Sequence, residues 1–240
     1  MADFDRMCAA LEKGEADGLK SLVQAALSEG VSAEDILNKG LLRGMDKIGD
    51  DFKNSKCFVP DVIFAARAMT SAMELLQPIL TEKGVEPVGR VVIGTVRGDL
   101  HDIGKNLVGM MLRGGGFEVI DLGADVAPEK FIDAAKKSGQ CLIGMSALLT
   151  TTMPVMEEVV TAVKKAKLPG VKTMIGGAPV TQDYAGEIGA DGYAPDAATA
   201  VDLARKLMGA KTGVKAAAKP AAKPAAKAAK PAAKKPRGKK

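Results

Sequence analysis

Gly98-Asp99-Leu100-His101-Asp102-Ile103-Gly104-Lys105-Asn106 lies between an apolar run, Val91-Val92-Ile93-Gly94-Thr95-Val96, and a second one, Leu107-Val108-Gly109-Met110-Met111-Leu112. The first run predicts a buried parallel strand and the second a helix with an apolar face, which makes the polar stretch the turn joining them. That turn holds the only histidine of the 240 residues, between two aspartates and close to glycines. Imidazole is a common metal ligand, and a neighbouring carboxylate fixes its tautomer and raises its basicity. A single histidine is equally at home as a hydrogen-bonded turn residue. What separates the two readings lies elsewhere in the chain.

Outward from the turn, strand and helix alternate. Strands are expected near 90–96, 117–121, 141–145, 171–175 and 190–193, with helices near 104–114, 128–138, 152–166, 181–188 and 196–208. Five such units predict a parallel sheet covered on both faces, with ligands at the carboxyl ends of its strands. Three polar or glycine-containing pieces each follow a strand: Asp99 to Gly104, Ser146 to Thr152, and Gly176-Gly177. They converge on one edge of the sheet. A dinucleotide fingerprint does not fit, because no GxGxxG opens the first helix and the acids in the turn would repel a pyrophosphate.

Residues 1–88 read as helices only. Phe4, Met7, Cys8 and Leu11 recur at helical spacing, as do Leu19, Leu22, Val23, Ala26 and Leu27. Ser32 before Ala33-Glu34-Asp35 predicts an N-cap opening a third helix through Ile36, Leu41, Leu42, Met45 and Ile48. A fourth begins at Pro60 and carries Val62, Ile63, Ala66, Met69, Met73 and Leu76. Four helices with short links predict a small bundle whose Met and Leu stripes are core. Gly84 to Gly89, with Pro87, reads as a linker.

The net charge of +5 conceals two opposite parts. Residues 211–240 hold ten Lys, one Arg and no acid, leaving 23 basic and 29 acidic residues and a net of −6 for the rest. This tail repeats Lys-Pro-Ala-Ala, predicting disorder, and it offers a contact to polyanions or serves only solubility. With two Tyr, six Phe and no Trp, recognition of nucleic acid by stacked aromatics is not expected. Cys8, Cys57 and Cys141 are odd in number and widely spaced, predicting reduced thiols in a cytoplasmic protein. No leader and no membrane span are expected.

Asp99-x-His101-x-x-Gly104, Ser146-x-Leu148 and Gly176-Gly177 occur in that order, with 41 residues between Gly104 and Ser146 and 27 between Leu148 and Gly176. This set resembles the corrinoid-binding signature of the B12-dependent methyltransferase family. The bundle stretch Gly44-Met45-Asp46-Lys47-Ile48-Gly49-Asp50-Asp51-Phe52 with Lys56-Cys57-Phe58-Val59-Pro60-Asp61-Val62 resembles the helical cap of methionine synthase and its corrinoid-protein relatives. The resemblance covers roughly residues 1–210. It implies an α/β fold: a four-helix-bundle cap at 1–88, then a Rossmann-like, flavodoxin-like, doubly wound five-stranded parallel sheet at 89–210 that binds cobalamin.

The resemblance also implies roles. His101 would ligate cobalt from below in a base-off, histidine-on form, Asp99 would accept the other ring N–H, and Thr152 would extend that chain to solvent. Gly98, Asp102 and Ile103 belong to the same loop. Gly104, Ser146, Leu148, Gly176 and Gly177 would make a narrow slot for the nucleotide tail, with Thr150 a hydroxyl contact. Phe52, Phe58, Val59 and Val62 would cover the upper face of the corrin. The expected function is a methyl carrier cycling between cob(I)alamin and methylcobalamin. A substrate-specific methyltransferase would load it, a second would pass the methyl group to tetrahydrofolate or coenzyme M, and a reductive activase would repair it. The chain is shorter than the ~250 residues of a typical substrate barrel, so it is expected to be a corrinoid subunit rather than an enzyme by itself. A radical-mutase domain is disfavoured by the cap. A cobalamin-responsive sensor acting on DNA through the tail would be expected to carry a helix-turn-helix module.

Overall fold

The computed structural model describes residues 3–209 and 215–216. Most of the basic tail at 211–240 therefore lies outside the described residues. The amino-terminal part is helical: α1 (Phe4–Glu12), α2 (Ala16–Ser28), α3 (Ala33–Asp35), α4 (Arg43–Lys53) and α5 (Val59–Glu82). Ser32 Oγ accepts the N–H of Asp35 at 3.0 Å, the expected cap of α3. The third helix differs from expectation in one respect: between α3 and α4 the chain is π-helical over Ile36–Leu42. The wider turn lets five of those seven residues, Ile36, Leu37, Gly40, Leu41 and Leu42, be buried. A Cβ at Gly40 would stand 3.1 Å from Met7 Sδ, a tight contact. Asp61 Oδ2 accepts the Phe58 N–H at 2.8 Å and fixes the start of α5 just before Pro60.

The expected linker contains a strand. β1 (Val85–Glu86) pairs antiparallel with β7 (Lys215–Ala216), so the chain leaving the folded body is tied back to the junction between its two parts. The second part alternates β2 (Arg90–Thr95), α6 (Ile103–Gly114), β3 (Glu118–Asp121), α7 (Pro128–Ser138), β4 (Leu142–Ser146), α8 (Pro154–Ala166), β5 (Lys172–Gly176), α9 (Gln182–Ile188), β6 (Gly192–Tyr193) and α10 (Ala197–Leu207). The five long-expected strands form one parallel sheet in the order β3-β2-β4-β5-β6. Because β3 and β4 lie on opposite sides of β2, the connections diverge there and open a crevice at the carboxyl ends of β2 and β4. α8 begins two residues later than expected, since Thr152 is held in a turn by Asp99.

Two apolar cores flank the sheet. One, under α7, α8 and α9, includes Phe131, Met156 and Val159; the other joins the sheet through α6 and α10 to the bundle, bringing Met45, Leu112 and Val201 together. At the seam, Gly49 leaves room for Met111 and Ala198, and Asp46 bonds Arg205 at 2.7 Å while Lys53 pairs with Asp202. This packing sets α4 and its end, Phe52, above the crevice.

Candidate functional site

The turn after β2 is built around a buried carboxylate. Gly98 adopts φ +83°, a left-handed value that glycine takes without penalty, and this reverses the chain so that Asp99 enters the protein. Asp99 Oδ1 receives the backbone N–H of His101 at 3.0 Å and faces His101 Nδ1 at 2.7 Å. Asp99 Oδ2 receives the N–H groups of Leu148 at 2.7 Å and Leu149 at 3.1 Å, and the Thr152 hydroxyl at 2.9 Å. One carboxylate thus joins the first and second sequence pieces, 49 residues apart along the chain at Leu148. Burial by itself would raise the Asp99 carboxyl, but the donors from His101, Leu148 and Leu149 outweigh it and hold the group well below the usual carboxylate range.

An ionised carboxylate only accepts hydrogen bonds, so His101 Nδ1 carries its hydrogen and Nε2 keeps a lone pair. The ring is half exposed while its partner is not exposed at all. The backbone is fixed as well: Thr95 Oγ1 donates to the His101 carbonyl at 3.0 Å. Asp125 braces the other side of the turn, taking the Gly98 N–H at 2.7 Å and giving its own N–H to the Asp99 carbonyl at 3.0 Å.

Beside the histidine the crevice widens into a cavity of about 600 Å³. Its walls include His101, Asp102, Ile103 and Gly104 from the turn, Ser146 and Leu148 after β4, Gly176 and Gly177 after β5, and Phe52 from the bundle. The two kinds of glycine differ. A Cβ on Gly177, whose φ is +133°, would lie 1.9 Å from the Ala147 carbonyl oxygen, and one on Gly176 would lie 2.9 Å from that of Ala194. A Cβ on Gly104 would meet no protein atom, so that residue keeps the cavity floor open without serving packing.

Several expected site residues stand elsewhere. Gly98, Asp99 and Thr152 lie behind the cavity and support it. Thr152 is buried, and its single hydroxyl hydrogen is shared between Asp99 and the Leu149 carbonyl at 2.8 Å. Thr150 is exposed and outside the cavity wall, because the turn at 148–153 carries it away. Of the four expected cover residues, Phe52 alone lines the cavity. Val62 faces into the bundle core with no exposed surface. Phe58 and Val59 are exposed at the start of α5, Phe58 to 67%.

Sequence reasoning passed over Leu100, 76% exposed beside His101, and the wall made by Ala194, Pro195, Ala197 and Ala200. The latter had a readable signal: a turn of small residues after the last strand, in the same position as the other pieces. Cys8, Cys57 and Cys141 are free thiols. Among the described residues, no helix is long and apolar enough to cross a membrane, and no three His, Cys, Asp or Glu side chains gather as a metal-chelating group.

Comparison with known proteins gives a consistent result. B12 binding domain families match residues 89–202 and, for the helical part, residues 3–77. Over 213 residues the chain is 40% identical to a corrinoid protein of Desulfitobacterium hafniense (strain Y51), spanning 87% of this chain and 99% of that one. It is 39% identical over 211 residues to trimethylamine corrinoid protein 1 of Methanosarcina acetivorans, spanning 87% and 93%. Among solved structures, the methanol:cobalamin methyltransferase complex of Methanosarcina barkeri superposes with a TM-score of 0.77 at 30% identity, covering 86% of this chain and 80% of that one.

Proposed function

The chain belongs to the B12-binding corrinoid proteins of methyltransferase systems, with cobalamin as its cofactor, and on that premise we propose that it carries a methyl group on cobalamin bound base-off with His101 as the lower ligand. The observation that carries this reading is the 2.7 Å contact between Asp99 Oδ1 and His101 Nδ1, which leaves Nε2 free at the wall of the cavity.

When bound, the cobalt centre supplies the chemistry of accepting and releasing a methyl group. The residues of this chain do the rest. Asp99 fixes the tautomer and aim of His101 and raises the electron donation of the imidazole. Leu100 and Ile103 present apolar side chains beside it, 84% exposed in the case of Ile103, as a floor for a flat apolar ring. Gly104, Ser146, Leu148, Gly176 and Gly177 leave the narrow space into which a nucleotide tail would slide. Phe52 limits the access of water from above.

As a carrier the protein works with a methyltransferase, the kind of partner named in the methanol:cobalamin complex. In the proposed cycle a substrate-specific methyltransferase loads it, a second enzyme transfers the methyl group to tetrahydrofolate or coenzyme M, and a reductive activase restores it after oxidation. The cap is proposed as residues 1–88 and the cofactor domain as 89–210. Three unpaired thiols support a cytoplasmic setting, and the +11 tail supports a contact with polyanions. Anaerobic reconstitution with hydroxocobalamin followed by desalting tests the reading: one corrin retained per chain is expected, and a colourless protein would overturn it.

A further inference from the structure

The loop bearing His101 has two anchors, and the second is a lysine. From Leu100 to Val108, all of them described residues, Lys105 alone is buried. Its Nζ sits 2.6 Å from each oxygen of Asp121 at the end of β3, and 2.7 Å from Asn106 Oδ1. Asn106 Nδ2 in turn donates to Asp102 Oδ2 at 3.0 Å. Asp102 is the N-cap of α6, yet its carboxylate makes no capping bond and is spent on Asn106 instead. On the far side, Asp121 Oδ1 takes the Gly123 N–H at 2.9 Å, the Gly123 carbonyl takes the Thr95 N–H at 2.9 Å, and the Thr95 hydroxyl closes on the His101 carbonyl. A continuous polar chain therefore runs from the first turn of α6, through β3 and β2, back to the backbone of His101.

We infer that Lys105, through its ion pair with Asp121, is a positioning residue that holds His101 at the height needed to ligate cobalt. The inference rests on the proposed role of His101 and deepens it. A metal bond to a side chain on a loose loop is weakened by the entropy lost in ordering that loop. Asp99 fixes the ring of His101 but lies on its amino-terminal side. The carboxyl-terminal side continues through the half-buried Asp102, the highly exposed Ile103 and the exposed Gly104. Without Lys105 the first turn of α6 would have no buried attachment, and on the carboxyl-terminal side of His101 only the Thr95 hydroxyl on its carbonyl would remain. The ammonium reaches the one acid at the end of β3, so its pairing also fixes the rotation of α6, and with it the direction of Leu100 and Ile103.

Lys105→Met removes the charge and keeps the length; Asp121→Asn breaks the same pair from the other side and keeps the Gly123 contact. In protein loaded with cob(II)alamin, electron paramagnetic resonance reports nitrogen ligation as a superhyperfine splitting. At equal bound corrin, each variant is expected to lower the ratio of histidine-ligated to unligated cobalt by about tenfold or more, the effect typical of removing a group that supports a metal ligand. The double variant should be no worse than either single one. In the cofactor-free protein, amide hydrogen exchange should rise across residues 100–106 while the Leu148 and Leu149 amides, held by Asp99, keep their protection. Wild-type ligation and exchange in both variants would overturn the inference. Absence of splitting in the wild type would instead overturn the role of His101, with the exchange arm still testing the anchor.

Discussion

Asp99 and Thr152 meet at 2.9 Å between hydroxyl and carboxylate, both buried, 53 positions apart along the chain. This contact places the turn after β2 against the turn after β4, and the histidine is aimed as a result. The whole site follows from one carboxylate that accepts five hydrogen bonds.

Asp99→Asn tests that carboxylate. The amide has one acceptor oxygen instead of two and brings two donors toward the N–H groups of Leu148 and Leu149. We expect a loss of about 1–3 kcal/mol in chemical denaturation, from buried polar groups left unpaired.

The same group predicts a dependence on pH. Its folded-state value lies below the ordinary one of 3.8, so its contribution is present above that value and is lost as pH falls below it toward the folded value. Denaturation midpoints measured downward from pH 7 should fall more steeply below about pH 4 in the wild type than in Asp99→Asn. Parallel curves would show that folding does not lower the Asp99 carboxyl.

Gly177→Ala and Gly104→Ala should separate folding from binding. The first puts a methyl group 1.9 Å from a carbonyl oxygen at a positive φ, and should destabilise the cofactor-free protein by about 1–3 kcal/mol. The second meets no protein atom and lies in a helix, where alanine is favoured by about 1 kcal/mol. It should leave thermal stability equal or higher while weakening retention of corrin. Equal retention in Gly104→Ala would remove that glycine from the binding surface.

Val62→Ala and Phe52→Ala should divide in the opposite sense. Deleting two buried methyl groups from the bundle core should cost about 1–3 kcal/mol with corrin retention unchanged. Phe52→Ala should cost less stability but speed the air oxidation of reduced, loaded protein, followed by absorbance. A change in oxidation rate confined to Val62→Ala would restore Val62 to the cover.

The order and type of the five strands and their helices were legible because buried parallel strands are unbroken apolar runs set off by glycine and polar turns. The convergence of Asp99, Ser146 and Gly177 was legible for the same reason: each follows a strand. The cover was legible less well. Helical spacing puts Val59, Val62 and Ile63 on neighbouring faces, and only the packing of α5 on the bundle decides that Val62 turns inward. The π-helical stretch at Ile36–Leu42 leaves no periodic mark distinct from an α-helix. Lys105 was hidden by its type, since a lysine in a polar turn reads as solvated until Asp121 is found beside it.

The central claim is that His101 ligates cobalt. It is tested most directly by the ultraviolet–visible spectrum of the protein loaded anaerobically with hydroxocobalamin and desalted, beside that of His101→Ala loaded in the same way. Corrin retained by both, with the Co(III) bands displaced in the variant, is the result the structure predicts. Superimposable spectra at equal corrin content would mean that His101 is not the ligand.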